Sequence, residues 1–204
     1  MNAPARADSL RAAPADRGRI AQRLRRVLRG EVLFDAASRG RYATDASIYQ
    51  VDPVGVVVPA DEVDVLAALE PARELRIPVL PRGAGTSQCG QTVGEALVID
   101  VSKHLRKLVA FDAAAMTAEV QPGMVLDDLN AFLRPHGLWF PVDVSTSAQA
   151  TIGGMAGNNS CGSRSIAYGN MVHNVLGIDA VLADGTAQHF GPFGADSTLR
   201  LDSG

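Results

Sequence analysis

The sequence predicts an α+β chain in two parts, a small α/β part followed by one built on a mixed or antiparallel sheet. Three observations predict this. An apolar run at Val54–Val58, a helical stretch opened by Asp61 and a second apolar run at Ile77–Leu80 give strand, helix and strand in succession. That is the order of a parallel pair with a right-handed crossover. Later, Leu108–Asp112 and Met116–Gln121 read as a hairpin across Ala113–Ala115, and Leu176–Leu182 and Thr186–Phe190 as one across Asp184-Gly185. Between these hairpins, residues 145–170 carry five glycines among small polar residues, too glycine-rich for plain core.

In chain order, residues 1–15 are mostly Ala, Arg, Pro and Asp, the composition of a disordered tail. Arg17–Arg29 places Ile20, Leu24, Val27 and Leu28 on one face and arginines elsewhere, an amphipathic helix ending at Gly30. Its basic face reads as solvated; contact with an acidic partner is the sharper alternative. RGRYATDASIYQ reads as a polar loop. Asp61 can cap a helix running to about Leu75, with Asp64 in a loose capping-box position and Pro71 expected to end or kink it. Ala96–Asp100 is a further strand and Val125–Leu133 a further helix. The expected start of the chain is a tail over 1–15 and an N-terminal helix and connecting segment over 16–47.

Bulk properties narrow the functions. A net charge of -3 gives no overall basic footprint for nucleic acid. No stretch approaches the roughly 18 apolar residues of a transmembrane helix. The Arg- and Ala-rich start lacks the apolar centre of a secretory signal, so the expected location is cytoplasmic. Asn158-Asn159-Ser160 matches a glycosylation acceptor that means little without secretion. Cys89 and Cys161 make neither a disulfide framework nor a zinc site, and read as small packing residues rather than redox centres. His104, His136, His173 and His189 show no metal-ligand spacing, although His173 closely follows Tyr168-Gly169.

The chemistry gathers in two glycine loops. The first is PRGAGTSQCGQT, residues 81–92, between two apolar strands. Gly83 and Gly85 fit the start of a dinucleotide fingerprint, but Gln88 replaces its third glycine and no helix is predicted to follow. Gly85–Thr92 fits a nucleotide-triphosphate loop except that Gln91 replaces the lysine. What remains is a nest of backbone N–H groups, with Gly83 and Gly85 permitting positive φ and Thr86 and Ser87 adding hydroxyls, suited to a diphosphate. A glycine-rich structural turn is the plain alternative. The second loop is Ala150–Gly162, followed by Ile166–Gly169 and Val175–Gly185.

PRGAGTS at 81–87, TIGG at 151–154, YG at 168–169 and LADG at 182–185 occur in one order. Together they resemble the FAD-binding domain of the p-cresol methylhydroxylase/vanillyl-alcohol oxidase superfamily. Within it the chain is most similar to the D-2-hydroxyacid dehydrogenases: D-lactate dehydrogenase, the glycolate oxidase FAD subunit and D-2-hydroxyglutarate dehydrogenase. The resemblance covers roughly residues 40–190. It implies a PCMH-type α+β FAD-binding fold in which a first, small α/β subdomain over 48–123 and a second, mixed or antiparallel-sheet α+β subdomain over 124–204 sandwich FAD. The backbone of Pro81, Arg82, Gly83, Ala84, Gly85, Thr86 and Ser87 would cradle the pyrophosphate. Thr151, Ile152, Gly153 and Gly154 would approach it from the other side. Pro141 and Ser145 would lie near the isoalloxazine or ribityl chain, and Gly162, Tyr168, Gly169 and Ile178 would flank the adenosine half. Covalent attachment in the superfamily often uses a histidine in the first loop; Thr86 stands in that place, so non-covalent FAD is expected.

The resemblance also implies a reaction: the Cα hydrogen of a D-2-hydroxy acid passes as hydride to flavin N5 while a base takes the hydroxyl proton. No catalytic residue is assigned, because the family places that apparatus mostly in a C-terminal substrate domain. The chain stops at LRLDSG, which reads as a fragment of a longer enzyme, inactive by itself and incomplete at the C-terminal end of the FAD domain. The implied partners are a small 2-hydroxy acid and an electron acceptor: a quinone, a cytochrome, an electron-transfer flavoprotein or an iron–sulfur partner. A flavin-binding module or subunit without turnover is the second reading. A nucleotide hydrolase is the third, disfavoured by the missing loop lysine.

Overall fold

The computed structural model of the chain describes residues 14–192, with side chains described from residue 17. Most of the expected tail and the closing LRLDSG lie outside the described residues, although Pro14 and Ala15 belong to the first helix. The described residues form two compact units, one up to Pro81 with Ser87–Ile99, the other Arg82–Thr86 with Asp100 onward.

In the first unit, α1 (Pro14–Val27) buries Ile20, Ala21 and Leu24 and packs against α3 (Glu62–Glu74). Between them come β1 (Glu31–Leu33) and α2 (Ala36–Tyr42), neither of which the sequence reading anticipated. The start of the expected polar loop is helical because Asp35 caps it, accepting the Ser38 N–H at 2.8 Å ahead of two alanines. β2 (Gly55–Val58) is buried throughout, pairing antiparallel with β1 and parallel with β4 (Leu97–Asp100). The sheet order is β1-β2-β4-β3, with β3 spanning Val79–Arg82.

The strands flanking α3 therefore do not pair with each other as expected; β4 lies between them. Composition explains the placement. β4 reads Leu-Val-Ile-Asp and is buried at every residue, whereas β3 contains exposed Pro81, which has no N–H to give a neighbour and suits an edge. α3 also corrects an expectation: it continues through Pro71 to Glu74. The proline removes one N–H, but it is buried beside Ala68, Leu69 and Ala72, so its apolar ring still contributes to the packed face.

Asp61 caps α3 as expected, accepting the Asp64 N–H at 3.2 Å. Asp64 does not complete the capping box. Its buried carboxylate instead accepts the N–H groups of Arg29 at 3.1 Å, Gly30 at 2.8 Å and Ala60 at 2.9 Å, tying the end of α1 to the start of α3.

The second unit carries the antiparallel hairpin of β5 (Leu108–Asp112) and β6 (Thr117–Val120), then α4 (Leu126–Leu133) and a turn of 3-10 helix at Arg134–His136. Asp112 Oδ1 accepts the N–H groups of Ala114 and Ala115, both at 2.9 Å, and closes the hairpin. Leu126, Val142, Ala150, Met155 and Met171 form one core cluster; Met124, Leu129 and Leu133 form another. Short helices follow at α5 (Ile152–Gly157), α6 (Ser165–Tyr168) and α7 (Met171–Asn174). β7 (Ile178–Val181) and β8 (Ala187–Phe190) make the expected second hairpin, with Gly185 at φ +87° in its turn.

Candidate functional site

The second unit brings the two glycine loops into contact. Gly83 follows the end of β3, and Thr151 sits at the mouth of α5. A Cβ on Gly83 would overlap Thr151 Oγ1, so only glycine lets the first loop approach the Thr151 side chain this closely. Thr151 is buried, and its hydroxyl accepts the Gly154 N–H at 3.3 Å as the cap of α5. Residues 150–153 are held against 122–126 by a ladder: Leu126 N–H to Ala150 O at 3.0 Å, Ile152 N–H to Met124 O at 2.8 Å and Gly153 N–H to Pro122 O at 2.8 Å.

The first loop has the opposite character. Among the described residues no group accepts the N–H of Gly83, Ala84, Gly85 or Thr86. Gly85 stands at φ +70°, the left-handed turn that glycine adopts without cost. No helix follows before β4, so neither the dinucleotide fingerprint nor the triphosphate loop is present in structure. Four consecutive unpartnered N–H groups on a glycine turn are an anion nest, and their chemistry fits a diphosphate. The remaining members of this stretch differ: Pro81 is exposed on β3, and Ser87 is half-buried and contacts Gln91.

Pro141 is half-buried and Ser145 exposed in the irregular run before α5. Ile152 packs half-buried against the core cluster. Gly162 lies so close to Asp143 that a Cβ would overlap both its carboxylate and its carbonyl. Asp143 accepts the Arg164 N–H at 3.0 Å and the Ser163 hydroxyl at 2.7 Å. The Arg164 N–H foremost, then the Ser163 hydroxyl, hold its carboxyl below the usual value against the opposing effect of burial. The Arg164 guanidinium stands 4.9 Å from the Trp139 ring centroid, and Tyr168 meets the same ring edge-on at 5.3 Å. Gly169 is at φ +79° against the His173 ring, whose Nδ1 accepts the Asn170 N–H at 3.0 Å. Ile178, the first residue of β7, is exposed.

Sequence reasoning missed Asp143 as the anchor of Gly162–Arg164, Pro122 as the floor under Gly153 and the Arg82 side chain beneath Gly85. Asp143 and Pro122 carry no local signature, since their partners are about 20 residues or more away in sequence. Cys89 and Cys161 are both exposed, so neither is the buried packing residue expected.

The FAD binding domain family matches residues 53–191, well over half of the chain. The chain belongs to this FAD-binding family. FAD is therefore the cofactor of this chain. D-2-hydroxyglutarate dehydrogenase of Pseudomonas putida is 40% identical over 165 residues, 79% of this chain and 16% of that protein. Glycolate oxidase subunit GlcD of Bacillus subtilis is 36% identical over 156 residues, 74% of this chain and 33% of that protein. The chain thus spans a sixth to a third of the length of these curated relatives. Among solved structures, an alkyldihydroxyacetonephosphate synthase is similar with TM-score 0.75 at 19% identity, covering 97% of this chain and 37% of that one. Wild-type Physcomitrella patens BBE-like 1 gives TM-score 0.71 at 21% identity over 88% of this chain and 38% of that one. These likenesses establish the fold, and the PCMH-type FAD-binding fold expected from the sequence is the one found.

Gly153 supplies a test of the second loop. A Cβ there would stand 2.5 Å from Pro122 Cβ and 2.9 Å from its Cα and O, largely backbone that cannot swing aside. Gly153→Ala is expected to cost about 1–3 kcal/mol of stability, read as a lower denaturation midpoint. An unchanged midpoint would show that the 122–126 ladder is not rigid.

Proposed function

We propose that this chain is the FAD-holding portion of a longer flavoenzyme that oxidises a D-2-hydroxy acid of the lactate, glycolate or hydroxyglutarate type. The observation carrying the proposal is the run of four unpartnered N–H groups at Gly83–Thr86, set against Thr151 of the second loop. The activities named for the relatives support the substrate class. Their greater length supports a substrate-binding part elsewhere in the longer protein.

When bound, FAD supplies acceptance of the hydride leaving Cα of the hydroxy acid. The residues of this chain bind and orient. The N–H groups of Gly83–Thr86 donate to the diphosphate oxygens, replacing water with fixed dipoles and without burying several formal charges. Thr151 keeps its hydroxyl for the Gly154 N–H, and so fixes the second loop. Asp143 pins Gly162–Arg164, and the Asn170–His173 cap holds the turn after Tyr168, on the side proposed for adenosine. FAD is held non-covalently, with Thr86 where a linking histidine would stand. No residue of the chain is assigned as the base for the hydroxyl proton.

The test is the visible spectrum of the purified chain after addition of FAD and desalting. A retained flavin spectrum that moves wholly to the supernatant on acid precipitation is the expected result. A folded chain that retains no flavin and shows no binding in titration overturns the reading. Anaerobic addition of D-2-hydroxyglutarate, D-lactate or glycolate to the longer protein then separates enzyme from flavin-binding module. Bleaching of the flavin supports the enzyme; an unbleached flavin supports the module.

A further inference from the structure

Arg82 is the only buried cation among the described residues, 9% exposed. A buried guanidinium is expensive unless the structure is built around it. Its main chain is fixed at the end of β3, where Arg82 O accepts the Val101 N–H at 3.0 Å. Its side chain turns under the loop that follows. A Cβ on Gly85 would stand 2.5 Å from Arg82 Nη2, 3.0 Å from Cζ and 3.1 Å from Nε. The guanidinium thus fills the side of Gly85 on which any other residue carries its side chain. Gly85 rests against it at φ +70°, within the stretch whose N–H groups have no partner.

We propose, resting on the FAD reading of the same loop, that the Arg82 side chain is a positioning residue for the diphosphate. It holds the left-handed turn at Gly85 from beneath and sets a full positive charge behind the free N–H groups. The two parts need each other. Backbone amides offer only partial charges to a ligand with two formal negative ones. A planar guanidinium that stays charged at every working pH supplies the balance without moving. Lysine would keep the charge but not the flat support.

The dissociation constant of FAD, read by quenching of flavin fluorescence, tests this in wild type, Arg82→Lys and Arg82→Gln. The thermal midpoint of each flavin-free protein is measured beside it. Arg82→Gln is expected to weaken FAD about tenfold or more, the scale of one charge acting over several ångströms at an effective dielectric near 20. Arg82→Lys is expected between the two, because the charge survives. An arginine that served only to fill space would give Lys and Gln the same loss. Wild-type affinity in Arg82→Gln, or equal losses in both variants, overturns the proposal. If Arg82→Gln fails to fold, Gly85→Asn reads the contact from the other side, since asparagine tolerates the left-handed backbone and its Cβ meets the guanidinium. A loss of about tenfold is expected there, the scale of an overpacked contact, and wild-type affinity overturns the proposal. Wild-type protein that binds no FAD removes the FAD reading and this proposal together. Equal affinities across a series that does bind FAD remove this proposal alone.

Discussion

Gly85→Glu is expected to weaken FAD binding about a thousandfold or more while leaving a folded protein. Three costs combine. A side chain at φ +70° costs about 1–2 kcal/mol for any residue but glycine and a few short polar ones. The Cβ falls 2.5 Å from Arg82 Nη2, and making room in a packed site costs about 1–3 kcal/mol. The carboxylate then either pairs with Arg82, cancelling the charge behind the nest, or faces the diphosphate directly. Repulsion between unit charges 4 Å apart is about 1 kcal/mol in water and about 4 kcal/mol near a protein surface. The sum is about 3–9 kcal/mol, and about 4 kcal/mol corresponds to a thousandfold. The fluorescence titration reads the affinity, and circular dichroism checks the fold. Flavin content equal to wild type in folded Gly85→Glu would remove the diphosphate from this loop. Gly85→Ala, which carries the first two costs but no charge, is expected to fall between.

What the sequence made legible was local. Both hairpins were marked by their turns, and Asp61 announced α3 as a cap. The glycine spacing at 83 and 85 correctly signalled a turn with free N–H groups. The misses involve partners distant in sequence. β1 is three residues long, with no alternation to betray it, and exists because Glu31, Val32 and Leu33 pair with Val58, Val57 and Val56. The place of β4 between β2 and β3 cannot be read from the order strand, helix, strand, since adjacency depends on which strand is buried on both faces. Arg82 reads as surface by residue type, because buried arginine is rare; only the fold shows the guanidinium beneath Gly85. In the site, the donors were visible in the sequence, and the groups that hold them in place were not.

Asp64 is the clearest case of that second kind, and its removal should be the most destabilising single change in the first unit. The capping-box reading sends its carboxylate back toward Asp61, but the carboxylate instead serves three N–H donors, two of them on the turn after α1. Asp64→Ala strands all three in a site where Asp64 was 1% exposed. Each stranded donor costs about 1–3 kcal/mol, less what water entering the cavity restores, for an expected total of about 3–5 kcal/mol. Asp64→Asn keeps one acceptor but turns an amide toward donors, and should cost less than Ala. Acid should do the same work reversibly. Burial alone would raise the Asp64 carboxyl; the Ala60, Arg29 and Gly30 N–H groups, aided by the Arg29 charge, outweigh it and lower it. A lowered carboxyl stabilises the fold fully above the unfolded value near 3.9, and the stabilisation is lost as pH falls through the folded value. In that window the unfolded chain binds the proton more readily, so stability rises with pH. Urea midpoints from pH 6 down to about pH 3 should therefore fall more steeply in wild type than in Asp64→Asn. Asp35, Asp45 and Asp143, whose carboxyls are also lowered, contribute to the slope that remains in the variant. Parallel wild-type and Asp64→Asn profiles would show that the Asp64 carboxylate does not hold the α1–α3 junction, and the three hydrogen bonds would then have to be replaceable by water.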